Sequence, residues 1–146
     1  MVRMEKSIEI KARPEKVWEM LAMDRLPEWL DVAEVKTAKY ISEVRAPKDK
    51  YRVGASAHVV EKRLEYDLNV MESVENEKLT VRSKGKYTYT MAYDLKPIDG
   101  GTRLTWVGEF EMPWGILGKA LSGLFRRTAE KQLKKALEKL KNIVEK

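Results

Sequence analysis

The chain has 146 residues, a net charge of +6 and no cysteine. This length favours one domain over residues 1–146 with a substantial core, and the lack of cysteine excludes disulfides, thiol catalysis and thiolate metal sites. No stretch approaches the roughly 18 uninterrupted apolar residues of a transmembrane helix, and the N-terminal residues lack the apolar core of a signal peptide, so a cytoplasmic protein is expected.

The first thirty residues predict one strand and two short helices. Residues 3–11 alternate between polar and apolar side chains, as a strand does when one of its faces is buried. Pro14 suits the first turn of a helix over 14–22, because that turn needs no N–H donor at this position. Asp24 is the predicted N-cap of a second short helix, which contains Trp29.

Six further strands are predicted in the middle of the chain. Alternating hydrophobicity marks each of them, and turn residues separate them. Asp99-Gly100 is a strong hairpin signal between the last two, and the short connections favour an antiparallel meander. The candidates are 33–44, 54–63, 65–74, 78–84, 86–96 and 102–111.

The last two strands carry their large side chains on one face. Because side chains alternate along a strand, these faces line one interior if the strands are neighbours. Buried tyrosines need a hydrogen-bond partner, so two interpretations remain: a pocket that holds water or a polar ligand head, or a plain core whose hydroxyls reach backbone carbonyls. The inward residues are Tyr87, Tyr89, Met91, Tyr93 and Leu95 on one strand and Leu104, Trp106, Gly108 and Phe110 on the other.

One long amphipathic helix is predicted over residues 115–146. Its first half is small and apolar, and its second half repeats apolar residues at helical spacing. The segment holds nine basic and three acidic residues, whereas the two signs balance in the rest of the chain. The basic residues indicate either a solvated face favoured by the helix dipole or a face for an anionic lipid or nucleic acid. The lack of aromatic residues among them past Phe125 favours the solvated face.

Residues suited to catalysis are few. His58 is the only histidine, which excludes a multi-histidine metal site, and the phasing of strand 54–63 points it away from the apolar face. A nucleophile elbow and a phosphate-binding glycine loop are both absent from the sequence. Glu61, Glu65 or Asp94 would serve as a general base only if buried. We therefore assign no catalytic residue and expect no metal and no cofactor.

The order of elements resembles the helix-grip fold of the START-like or SRPBCC superfamily, in particular its polyketide cyclase/dehydrase-type and coenzyme Q-binding small members. Residues 8–18 resemble the family's opening, a strand followed by small-x-Pro-x-x-Val-Trp, and Asp24 and Trp29 resemble the Asp and Trp that come next. Val53-Gly54 matches the glycine that begins the third strand. Residues 101–106 closely match the Gly-Thr-x-apolar-Thr-Trp strand, and the long helix completes the pattern.

The resemblance implies an α+β fold in which a seven-stranded curved antiparallel sheet surrounds the C-terminal helix. It also implies that a cavity between sheet and helix binds or transports a small apolar molecule, lipid-, isoprenoid- or polyketide-like. The alternative is a cyclase/aromatase- or hydrolase-type enzyme that uses the same cavity. Superfamily members range from lipid carriers to hormone receptors and chaperone activators, so the fold alone does not select one activity.

Strand parity and helical period predict most of the residues that line the cavity, and Trp29 and Trp114 are placed near its mouth. The candidate lining residues are Trp29, Tyr66, Tyr87, Tyr89, Met91, Tyr93, Trp106, Phe110, Trp114, Leu117, Leu121 and Phe125. The expected partner is a small apolar molecule, with no nucleic acid and, at most, a peripheral membrane contact through the basic helix. Asparagine and glutamine are scarce while lysine and glutamate are abundant, a bias seen in thermophile proteins.

Overall fold

The computed structural model describes residues 2–29, 43–45, 50–61, 64–84, 88–110 and 115–146. One antiparallel sheet has the strand order β1-β7-β6-β5-β4-β3-β2. The strands are β1 (Val2–Ile10), β2 (Glu43–Arg45), β3 (Ser56–Glu61), β4 (Leu64–Val74), β5 (Lys78–Lys84), β6 (Tyr89–Ile98) and β7 (Gly101–Phe110). The helices are α1 (Pro14–Met20), a 3-10 helix (Met23–Arg25), α2 (Leu26–Trp29) and α3 (Gly115–Glu145). The predicted α+β helix-grip class is confirmed.

Six of the strands are long, and β2 has three residues. Strand β2 is the described part of the predicted strand 33–44, and residues 33–42 of that prediction lie outside the described residues. From β2 to β7 each strand pairs with its successor, so the predicted meander is confirmed. The first strand instead joins the far edge of the sheet, where β1 pairs with β7 along its whole length.

Two tight turns depend on left-handed backbone. Gly100 has a φ of 80° in the Asp99-Gly100 turn that joins β6 to β7, which confirms the predicted hairpin. Asn76 has a φ of 63° between β4 and β5, a conformation that asparagine tolerates better than most residues. The turn between β4 and β5 is closed by the Glu77 N–H, which donates to the Val74 carbonyl at 2.9 Å.

The segment around the short helices is held by contacts from residues that follow much later in the chain. Asp24 lies inside the 3-10 helix, whose first flanking residue, Ala22, makes no side-chain cap, so the predicted N-cap role of Asp24 is wrong. Its carboxylate oxygens instead accept hydrogen bonds from Lys50 Nζ at 3.1 and 3.2 Å. Tyr51 stacks on Trp18 with ring centroids 4.9 Å apart, and its hydroxyl donates to the Trp18 carbonyl.

The second half of α3 is fixed against the sheet and the short helices. Its buried residues are Leu133, Ala136, Leu137, Leu140 and Val144, which confirms the predicted apolar stripe. Lys141 Nζ donates to the Glu9 carbonyl at 3.1 Å, and the Lys11 N–H donates to the Glu145 carboxylate at 3.0 Å. Both bonds hold the last turns of α3 beside the end of β1. None of the described helices is long and apolar enough to cross a membrane.

Candidate functional site

The inner faces of β6 and β7 form one continuous wall. Their register pairs Leu95 with Leu104, Tyr93 with Trp106, and Met91 with Gly108, and all six residues are buried. The prediction that these strands are neighbours and turn these side chains inward is confirmed. We call the part of this wall formed by Tyr89, Met91, Tyr93 and Trp106 the aromatic end.

Gly108 determines how the Trp106 indole lies on the wall. A Cβ atom built on Gly108 would come within 2.1 Å of Trp106 Cη2. The outer edge of the indole therefore lies over Gly108, and a larger residue at this position would displace it. Met91 faces Gly108 across the strand pair, so the wall is built from an indole, a thioether and a bare stretch of backbone.

Tyr93 lies at the centre of the wall with 1 % of its surface exposed. Its hydroxyl donates to the Met91 sulfur at 3.7 Å. Burial strongly raises the pKa of Tyr93, and a hydrogen bond from the Trp106 side chain only partly opposes that rise. The phenol is protonated at neutral pH, as any tyrosine is, and burial extends that state further into the alkaline range, so it acts as a hydrogen-bond donor within an apolar environment.

Trp29 is completely buried and packs its ring edge-on against Tyr93, with centroids 6.1 Å apart at an angle of 75°. Its indole N–H donates to the Met20 carbonyl at 2.8 Å. This hydrogen bond ties α2 to the end of α1 and leaves no indole donor for a ligand. The sequence predicted Trp29 near the cavity mouth, where some exposure is expected. In the structure its side chain is completely buried in the interior.

The remaining predicted lining residues fall into three groups. Tyr89 is half-buried at the start of β6, where its N–H donates to the Ser83 hydroxyl at 2.8 Å. The backbones of Tyr66, Phe110, Leu117, Leu121 and Phe125 lie in β4, β7 and α3, but their side chains are outside the described part of the structure. Tyr87 and Trp114 lie outside the described residues altogether.

Two buried hydroxyl groups were not predicted from the sequence. Ser83 and Thr102 are the buried polar side chains of the described core. Ser83 accepts from the Tyr89 backbone, and Thr102 Oγ1 donates to the Ala12 carbonyl at 2.7 Å. Each lies at an inward position of its strand, so strand parity was the signal available to find them. Both hydroxyls satisfy backbone groups near a strand end.

The ionisable candidates considered for catalysis lie at the surface wherever their side chains are described. His58 is exposed, as its strand phasing predicts, and its Nδ1 lies 3.1 Å from the Asp67 carboxylate on the neighbouring strand. Asp94 is also exposed. The side chains of Glu61 and Glu65 fall outside the description. Within the described residues, no group of three or more histidines and carboxylates converges as a metal site would require.

A separate groove of about 290 Å³ lies along β4 and β5. It begins at an irregularity of β4, where the register shifts between Val70 and Glu72, and Met71 is left 52 % exposed. The residues that line it are Asn69, Met71, Arg82, Ser83, Lys84 and Thr88. Its exposed basic side chains distinguish it from the apolar wall of β6 and β7.

Comparisons with solved structures show the same fold. The solution structure of protein BH1534 from Bacillus halodurans aligns with a TM-score of 0.75 at 20% identity, covering 99% of this chain and 98% of that one. The crystal structure of protein NE0264 from Nitrosomonas europaea aligns at 0.71 and 16% identity, covering 98% and 94%. The Aha1 dimer from Colwellia psychrerythraea aligns at 0.68 and 18% identity, covering 99% and 97%.

The sequence itself identifies the family. No curated protein matches the chain significantly. A family model described as polyketide cyclase / dehydrase and lipid transport matches residues 1–145. The match spans the strands, the short helices and α3, and the aligned structures share this architecture. The chain therefore belongs to the polyketide cyclase/dehydrase and lipid transport family of the START-like superfamily, a fold that binds hydrophobic ligands.

Proposed function

We propose that this protein binds and carries a small apolar molecule, lipid-, isoprenoid- or polyketide-like, in the space between the sheet and α3. The observation that carries the proposal is the Tyr93 hydroxyl. It is fully buried, and the acceptor of its hydrogen bond is the sulfur of Met91. The groups around it are the rings of Trp29 and Trp106, which belong to the apolar interior.

A thioether is a weak hydrogen-bond acceptor. A buried hydroxyl that lacks a strong acceptor carries a free-energy cost, and a carbonyl or hydroxyl oxygen of a ligand would remove it. Ligand pockets are characteristically apolar with a few placed polar groups. Tyr93 has the chemistry of such a group, since it is a neutral donor set in a wall of aromatic rings and sulfur.

Exposure along β6 supports an entrance at the Tyr89 end of the wall. Tyr89 is half-buried, whereas Met91, Tyr93 and Leu95 are almost completely buried. The first half of α3 begins at the same end of the sheet, because it follows β7 in the chain. Its sequence is rich in small residues between Gly115 and Gly123, which favours room for a ligand beside the helix.

A cyclase-type reaction in the same space is the second candidate function. A phenol that stays protonated at neutral pH can orient a carbonyl group of a polyketide-like substrate, and Tyr93 meets that requirement. Proton abstraction also needs a poised base. The buried polar side chains of the described core, Ser83 and Thr102, are hydroxyls already bonded to backbone groups. Binding without chemistry is therefore the function that we place first.

Two fluorescent probes distinguish the contribution of cavity shape to ligand binding from the contribution of a hydrogen bond. Diphenylhexatriene is apolar and lacks an acceptor, whereas Nile red is of similar size and carries a carbonyl. Both should bind the wild type. Tyr93→Phe keeps the ring and removes the hydroxyl, so it should weaken Nile red binding by about two- to tenfold, the range for one neutral hydrogen bond. Its affinity for diphenylhexatriene should remain unchanged.

Tyr51→Phe is the matched control, because it also removes a hydrogen-bonded hydroxyl, and the Tyr51 ring stacks on Trp18, which is not a residue of the aromatic end. This variant should bind both probes as the wild type does. Native mass spectrometry of the freshly purified protein should show a retained apolar molecule. If neither probe binds and no retained mass is found, the carrier function is wrong. If the two Phe variants behave alike, Tyr93 does not face the ligand.

A further inference from the structure

The solvent side of α3, opposite the side that packs in the interior, carries a row of cations. We define the basic face as Arg127, Lys131, Lys134, Lys135 and Lys139, which are all exposed. The other four follow Arg127 by four, seven, eight and twelve residues, so all five share one side of the helix. Burial of Leu133, Leu137 and Leu140 fixes that side outward. The row from Arg127 to Lys139 is about 18 Å long.

The helix dipole does not account for these cations. The dipole acts within the last turn of a helix, and the last turn of α3 holds no basic residue. Local ion pairing does not account for Arg127, Lys131, Lys134 or Lys139 either. With Lys135 set aside, no cation of the basic face forms an ion pair with another described residue. Glu145, an acid of the same helix half, is bonded to Lys141 and Lys11.

We propose that the basic face docks the protein on the surface of an anionic lipid bilayer. Each lysine or arginine near such a surface contributes about a fivefold gain in binding, and the basic face presents five on one side of the helix. The single exposed carboxylate among them is Glu138. Net charge in the rest of the chain, residues 1–114, is balanced, so the attraction orients the protein with α3 toward the lipid.

Two features favour a bilayer over a single-stranded nucleic acid. Such nucleic acids are held by aromatic side chains interleaved with the cations, and the sequence past Phe125 contains no aromatic residue. A bilayer surface requires only a row of charges, which the basic face supplies. The basic face is separate from the aromatic end, so docking on a bilayer does not require a bound ligand.

The test is co-sedimentation of the full chain with vesicles of phosphatidylcholine alone or with about 30% phosphatidylglycerol. The wild type should bind the anionic vesicles at about 0.05 M salt and be released at about 0.5 M salt. The variant K131E/K134E/K139E should bind roughly a hundredfold more weakly. The control R82E/K84E/K96E changes charge equally at exposed positions of the sheet and should retain at least a third of the wild-type affinity.

Several outcomes would overturn the proposal. These are no binding to anionic vesicles, equal binding to neutral vesicles, binding that survives high salt, or equal losses in the two triple variants. Tighter binding to a single-stranded RNA oligonucleotide at the same salt would assign the face to a nucleic acid instead. Glutamine replacements at the same three helix positions remove charge without reversing it, and they serve if the glutamate variant has a lowered melting temperature.

Discussion

The interior of the protein has two ends with different chemistry. At the end of β1, aliphatic side chains from sheet and helix meet, and Lys141 and Glu145 clamp the last turns of α3 to the strand. At the opposite end of the same sheet, the wall consists of aromatic rings and a thioether, with a buried hydroxyl among them. We call the first the packed end, formed by Ile10, Leu95, Leu104, Leu140 and Val144, to set it beside the aromatic end.

This difference shows how one fold separates stability from recognition. Aliphatic side chains interdigitate closely and gain stability from burial alone. Aromatic and polar groups fill space less adaptably, but they offer directional contacts that a ligand can use. Mutations at the packed end should therefore change folding without changing ligand binding, and mutations at the aromatic end should change both.

The largest effect is expected at the packed end. Leu140→Ala removes a completely buried side chain and should lower the free energy of unfolding by about 2–5 kcal/mol, through lost burial and a residual cavity. Chemical denaturation followed by circular dichroism measures this loss. The folded fraction should bind diphenylhexatriene as tightly as the wild type does. A clear fall in probe affinity would show that the two ends are not independent.

A smaller loss of stability, joined to a loss of binding, is expected at the aromatic end. Gly108→Ala places a Cβ 2.1 Å from Trp106 Cη2, so the indole must move. The cost should be about 1–3 kcal/mol, typical of overpacking, and probe affinity should fall as the wall changes shape. Gly100→Ala is not a matched control, because Gly100 has a left-handed φ. Unchanged tryptophan fluorescence together with unchanged binding would contradict this placement of Trp106.

The smallest effect concerns alkaline pH. Burial, assisted by the nearby carboxylates of Asp24 and Glu19, raises the pKa of Tyr51 to about 12, and burial raises the pKa of Tyr93. The unfolded chain ionises these phenols near their ordinary value of 10.0. Their contribution to stability is therefore fully present below pH 10 and is lost as pH rises through the folded-state values.

Unfolding curves recorded between about pH 9 and pH 12 should reveal this loss. Tyr93→Phe and Tyr51→Phe should each reduce the slope of the free energy of unfolding against pH, because each removes one group that ionises in the unfolded chain at lower pH than in the folded protein. Both phenols stay largely protonated in the folded state until near pH 12, so the two reductions should be of similar size over this range. Equal slopes in wild type and both variants would mean that neither phenol is shielded from solvent in the folded state.

Patterns with a short period were sufficient to predict most of the secondary structure. Alternation along 78–84 and 102–111 predicted β5 and β7 to within one residue, and Asp99-Gly100 predicted the turn between β6 and β7. The apolar stripe predicted the buried side of α3. These features are local, because a strand or helix needs one face buried whatever covers it, and the pattern in the chain records which face that is.

Other features arose from contacts between residues distant in the chain. The sequence around Asp24 carries a valid capping signal, but Lys50 binds the carboxylate instead. Tyr51 had no periodic pattern that could reveal its stack on Trp18. Likewise, the sequence predicted Trp29 near an opening, whereas tertiary packing buries it against Tyr93.

The sequence by itself determined the order of the elements, their inward faces, the concentration of positive charge in α3 and the resemblance to the family. The tertiary structure alone decided that the Tyr93 hydroxyl has a sulfur acceptor and that the outer edge of the Trp106 indole lies over Gly108. The physical reason is that periodicity reports only whether a side chain is buried. The identity of the group it meets depends on strand register and helix orientation, which are set by the whole chain.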